Sequence, residues 1–155
     1  MRMDERFGQH TSRAAVGQGT VPPGSAGPWR QSVLLQHLTR HGSHFDWMFE
    51  APGHVDADRL VSFRVDRPLH AWAGRKRVFE RIADHRRAYL LRQGAISGGR
   101  GRVRRVDRGR CRVRLFTVGR IVVELRMGGV AGQAHLTRLS GDRWAGILLR
   151  ARQPG

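Results

Sequence analysis

The chain has 155 residues, enough for one domain with a real core. Its formal net charge is +17, and Lys76 is its one lysine, so nearly all of the positive charge is guanidinium. Such a field attracts polyanions and points to nucleic acid or a nucleotide as partner, although a GC-rich coding sequence yields the same Arg-, Ala- and Gly-rich balance. Cys111 is the only cysteine, which excludes an intrachain disulfide and a CxxC zinc site and suits a reducing cytoplasm. No apolar stretch approaches the roughly 20 residues that span a bilayer. The N-terminus lacks the apolar core of a secretory signal. A cytoplasmic protein with no membrane partner is expected.

Residues 1–28 read as a disordered basic arm, because Val21-Pro22-Pro23-Gly24 and Ala26-Gly27-Pro28 break any regular element. His10 in this arm is expected to be solvated. Order begins near Trp29, and one domain over 29–152 is expected. Ser32 to His37 reads as a strand, Thr39 to Ser43 as a loop carrying His41 and Gly42, and His44 to Glu50 as the next strand, turned by Ala51-Pro52-Gly53. Leu60 to Val65 alternates and is stopped by Pro68. Val78, Phe79 and Ile82 lie at helical spacing, which predicts a short helical turn within 75–84. Ala88 to Arg92 is a further candidate strand. Beyond Gly94 come short strands split by glycine-bearing turns: Gly101 to Val106, Cys111 to Val118, Arg120 to Met127, Gln133 to Leu139 and Arg143 to Arg150. Turns are expected at Asp107-Arg108-Gly109, Gly119 and Ser140-Gly141-Asp142. This pattern predicts an all-β, mostly antiparallel fold, a closed or nearly closed barrel of about eight strands with a short helical turn. Arg110, Arg112 and Arg114 alternate, giving either a solvated outer face or a track for a phosphate backbone.

Three groups of residues could carry chemistry. In the run His44-Phe45-Asp46-Trp47-Met48-Phe49-Glu50, a strand sends His44, Asp46, Met48 and Glu50 to one face and the aromatic residues to the other. A loop would not need that aromatic backing. An imidazole and a carboxylate two apart, with His37 and His41 upstream, can ligate a divalent cation, and mixed nitrogen and oxygen donors suit manganese or zinc. A structural histidine hydrogen-bonded to an aspartate is the plainer reading of the same pair. In Asp84-His85-Arg86-Arg87-Ala88-Tyr89, His85 and Tyr89 can converge on a phosphate oxygen; alternatively Asp84 caps a turn and Tyr89 is core. In the third group, Gly94 and Gly98-Gly99-Arg100-Gly101 allow close backbone approach to an anion. This group matches neither a P-loop nor a dinucleotide fingerprint and, taken alone, reads as a tight barrel turn before a phosphate cradle.

In order and wording, these groups resemble the phosphoesterase module of bacterial DNA ligase D, especially its short stand-alone relatives. His44-Phe45-Asp46-Trp47-Met48-Phe49-Glu50 stands where that family has His-Tyr/Phe-Asp-Phe-Arg-Leu-Glu. Leu60-Val61-Ser62-Phe63 echoes a leucine-led Ser-Trp strand, and Asp84-His85 with Tyr89 matches Asp-His-x-x-x-Tyr. Gln93-Gly94, Ile96, the glycine-rich segment and Asp107-Arg108-Gly109 follow in family order, so the likeness covers roughly residues 30 to 150. It implies an eight-stranded barrel with its site in the bore or at one mouth. It also implies a manganese-dependent enzyme of DNA repair and end joining, which removes a 3′-phosphate or a 3′-ribonucleoside from nucleic acid ends, with a separate ligase or polymerase as a possible partner. His37, His44 and Asp46 would hold the metal, with His41 a rival to His37. His85 and Tyr89 would be catalytic, and His85 would contact the substrate phosphate.

Two departures matter. The family's phosphate-holding arginine is Met48 here, and a thioether cannot bind phosphate bidentately. The family's glutamate before the glycine is Gln93. Arg100 is the candidate replacement for the missing guanidinium. Without one, the alternative is a catalytically weakened barrel that still binds nucleic acid. Glu50 is either a group that orients a metal ligand or a charge at a strand end.

Overall fold

The computed structural model describes residues 27–52, 59–72 and 74–151. The arm as far as residue 26, with His10, lies outside them, as do Gly53 of the expected turn and residue 152. Among the described residues nine strands form in chain order: β1 (Arg30–Thr39), β2 (Gly42–Phe49), β3 (Arg59–Val65), β4 (Lys76–Arg86), β5 (Gly94–Ala95), β6 (Arg102–Phe116), β7 (Arg120–Met127), β8 (Ala131–Ser140) and β9 (Arg143–Arg150). All pairings are antiparallel. The order β1-β2-β3-β4-β9-β8-β7-β6 closes on itself because β1 also pairs with β6, while the two-residue β5 adds to β6 outside the ring. The fold is therefore the all-β, eight-stranded closed barrel that the alternating pattern predicts. Closure leaves no long open edge on the ring. Among the described residues no helix is long and apolar enough to cross a membrane.

The aromatic side of the β2 alternation fills the bore. Trp47, Phe49, Phe63, Trp72, Phe79 and Trp144 belong to one buried cluster, to which all eight ring strands contribute. Trp72 comes from a 3-10 turn, Leu69–Trp72, and stacks on Phe79 with centroids 4.2 Å apart. The Trp47 indole N–H donates to Ser32 Oγ at 3.0 Å, so this fully buried ring leaves no polar atom unpaired. The start of β1 is held by stacking: the guanidinium groups of Arg112 and Arg126 lie 4.3 and 4.5 Å from the Trp29 ring centroid.

Three local readings are corrected. Residues 76–86 form β4 and not a helical turn: Phe79 enters the bore, Val78 is exposed, and pairing to β3 and β9 overrides a short helical spacing. Helical geometry falls instead where a strand was expected, in a second 3-10 turn, Arg87–Leu90. Asp107-Arg108-Gly109 does not turn the chain, since β6 runs unbroken through it. The Asp107 carboxylate instead accepts the N–H groups of Gly128 and Gly129 at 2.9 and 3.0 Å, in the β7–β8 turn. Gly109 is needed because a Cβ there would lie 2.1 Å from the Arg126 carbonyl oxygen.

The alternating arginines are tied down in part. Arg112 and Arg114 both pair with Glu124 at 3.1 Å, so that stretch is not an open phosphate track.

Candidate metal and phosphate site

The other face of β2 points out of the barrel. The bore is packed with apolar and aromatic side chains, so the predicted site residues lie on the outer wall and not in the bore. There Met48, at 1% exposure, joins Val33, Leu35, Leu60, Leu90, Ile96 and Val103 in a second apolar cluster. Beside this cluster a cleft of about 240 Å³ is lined by His37, Asp46, Met48, Arg64, His85, Tyr89 and Arg100, among others.

Register assembles the site. His37 pairs with His44 across β1 and β2, and the two rings meet edge to face with centroids 4.9 Å apart. Asp46 pairs with Arg64 across β2 and β3. One ligand atom from each of His37, His44 and Asp46 lies within 4.8 Å of the others. His41 does not join them; it sits exposed in the β1–β2 turn, its N–H donating to Thr39 Oγ1.

His37 is oriented by the glycine-rich segment. Its Nε2 donates to the Arg100 carbonyl at 2.6 Å, which leaves Nδ1 with a free lone pair. An imidazole held through its other ring N–H is the usual support of a metal-binding histidine. The loop reaches β1 because Gly101 has a φ of +90°, and a Cβ on it would lie 2.0 Å from the Leu38 carbonyl oxygen. Gly101 therefore brings the backbone close to β1, as a tight turn does.

The polar atoms at the centre are poorly satisfied. His44 Nε2 approaches Asp46 Oδ2 at 3.3 Å without hydrogen-bond geometry, and Arg64 Nε stands 3.6 Å from Asp46 Oδ1. His44 Nε2, Asp46 Oδ1 and Arg64 Nε are all buried with no hydrogen-bond partner. Native proteins rarely leave such groups bare, and several in one place mark room for a further ligand. Burial lowers the pKa of His44, with Asp46 opposing and Arg64 and His37 reinforcing the shift. Two imidazoles beside a carboxylate, with unpartnered atoms, fit a divalent cation.

His85 approaches from β4. Between Ser62–Ile82 and Leu60–His85, β3 advances two residues and β4 three. This bulge turns His85 toward the outer cleft. Ser62 Oγ gives its proton to the Leu60 carbonyl, so it accepts from His85 Nδ1 at 3.0 Å, and the ring protonates at Nε2. Burial is the main cause that lowers the His85 pKa, against the pull of Asp46. The Tyr89 ring packs edge to face on His85 with centroids 4.8 Å apart. Asp84 pairs with Arg81 at 2.8 Å.

Arg100 is at the cleft, but its guanidinium donates to Ser97 O and Oγ. The guanidinium beside the ligand group is Arg64, which the sequence reading passed over. Alternation puts it on the same strand face as Leu60 and Ser62, but only the pairing with Asp46 sets it beside the site. Gln93 Oε1 accepts the Arg105 N–H. Glu50 Oε1 accepts the Gln31 N–H at 3.2 Å and lies 3.5 Å from Arg87. It thus joins strand ends and makes no contact with His37, His44 or Asp46. No protein-family model matches this chain, and no curated protein matches its sequence.

Proposed function

We propose that the protein is a metal-dependent phosphoesterase that trims a 3′-phosphate or 3′-ribonucleoside from nucleic acid strands, in DNA repair or end joining. One observation carries this reading: two imidazoles and a carboxylate converge, with buried donor and acceptor atoms unpartnered, beside a cleft lined by Arg64 and Arg100. The resemblance to the ligase D phosphoesterase module supplies the substrate class.

His37, His44 and Asp46 would hold a manganese or zinc ion. When bound, that ion supplies Lewis acidity toward a phosphoryl oxygen and lowers the pKa of water. Arg64 supplies the guanidinium that Met48 cannot, positioned to pair with a phosphate oxygen beside Asp46. His85 takes a proton at Nε2 and, once protonated, donates to the phosphate or the leaving oxygen. Tyr89 steadies the His85 ring.

The test is a primer–template assay with strands ending in a 3′-phosphate or a single 3′-ribonucleotide, with manganese or with EDTA. Manganese-dependent trimming that Asp46→Ala removes is the expected result. A second reading, a nucleic-acid-binding barrel without catalysis, is favoured by the burial of Met48 in an apolar cluster. Salt-sensitive DNA binding with no trimming under any divalent metal would select it.

A further inference from the structure

A second concavity lies on the same outer wall, across the 3-10 turn Arg87–Leu90 from the cleft. It measures about 570 Å³ and is lined by Trp29, Arg30, Leu90, Leu91, Arg108 and Arg110 among others, with no acidic residue. The Arg108 and Arg110 side chains make no hydrogen bond or ion pair among the described residues. Pairing of Val33 with Arg108 and of Gln31 with Arg110 sets these arginines beside β1. Arg105, paired with Leu35, stands between the two depressions. Leu91 is 75% exposed at the rim.

Two guanidinium groups without a partner among the described residues, beside an apolar rim, suit a phosphodiester backbone with its bases turned to the side. Strand geometry sets the spacing. Leu35 and His37 of β1 line the cleft, and Arg30 to Ser32 line the hollow. About five strand residues separate them, or about 17 Å at the usual rise. A stacked single strand covers that distance in about five nucleotides.

We propose that this hollow is a second anion site, in which Arg108 and Arg110 hold backbone phosphates about five nucleotides upstream of the strand's 3′ end. That the 3′ end occupies the cleft rests on the phosphoesterase reading; that the hollow binds phosphodiesters does not. The occupant is a single-stranded nucleic acid, and the basic track follows β6 through Arg105, Arg108 and Arg110.

The experiment is fluorescence anisotropy of 5′-labelled single strands with a 3′-phosphate, from about two to about ten nucleotides, over a salt series in EDTA. Affinity is expected to step up once strands exceed about five nucleotides. Arg108→Ala with Arg110→Ala removes the step and lowers the slope of log K against log salt by about 1.4. Arg108→Lys with Arg110→Lys, a milder pair should the alanine variant fold poorly, keeps most of that slope. Arg75→Ala with Lys76→Ala, at the start of β4 on the opposite side of the ring, removes the same charge and keeps the step. Affinity for the longest strands that falls equally in both alanine pairs would overturn the hollow as a phosphodiester site; a smooth rise with length, with only the Arg108 and Arg110 pair weakening binding, would overturn the seating of the 3′ end in the cleft. Because no metal is present, a protein that trims nothing can still pass this test, and one that trims can still fail it.

Discussion

The two faces of β2 use the same backbone for opposite purposes. Toward the bore, Phe45, Trp47 and Phe49 pack among aromatic neighbours, and the one buried polar atom, the indole nitrogen, is paired. Toward the outer wall, His44 and Asp46 bury polar atoms with no partner beside the unpaired Nε of Arg64. A structure that had only to be stable would not leave these atoms bare, since an unmade buried hydrogen bond costs about 1–3 kcal/mol. The inner face accounts for the barrel; the outer face makes sense if something else occupies it.

That contrast can be broken first from the inside. Trp47→Ala should cost about 3–5 kcal/mol of stability in urea unfolding, the range for emptying a buried aromatic site. Asp46→Ala, one residue away, should change stability by about 1 kcal/mol or less, because it removes a group whose Oδ1 is unsatisfied. Equal losses would make the outer face structural.

The second expectation concerns manganese. Asp46→Ala should weaken its binding by more than about 100-fold, beyond what losing a supporting group costs. Wild-type protein with metal at about 100 times Kd should gain about 2.7 kcal/mol, and the variant nothing. Retained stoichiometric binding in a titration followed by manganese paramagnetic resonance would rule out these ligands.

A third, smaller effect separates the loop from the ligands. Gly101→Ala pushes Arg100 away from β1 and frees His37, and should lower metal affinity by about 10–100-fold. Gly99→Ala also places a side chain at positive φ, but its Cβ meets nothing within 4 Å, so it controls for backbone strain. If both variants lose equal affinity, the Arg100–His37 hydrogen bond is not what orients the ring.

A last expectation, seen only at high pH, probes the inner face again. Cys111 is fully buried, and burial, with Glu50 next in weight, pushes its thiol from an ordinary value of 9.0 to about 12. Below pH 9 the thiol is neutral in both folded and unfolded chains. Between pH 9 and about 12 the unfolded chain loses its proton first, so stability should fall as pH rises. The fall should be shallower in Cys111→Ala. A thiol reagent should label Cys111 only as fast as the barrel opens; rapid labelling of native protein would contradict its burial.

Sequence alone determined what depends on short-range alternation. The period-2 runs at His44 to Glu50 and Leu60 to Val65, and the glycine turns after Phe116 and Ser140, place apolar and polar side chains on opposite faces however the strands are ordered. From these the all-β class and the shared face of His44 and Asp46 are legible. Tertiary structure decided what depends on register and closure. Arg64 meets Asp46, and His37 meets His44, only through strand pairing. The β4 bulge that turns His85 outward, and the run of β6 through Asp107-Arg108-Gly109, arise from pairing between distant segments. The aromatic residues that alternate with the site claim the bore, and by filling it they leave the site the outer wall.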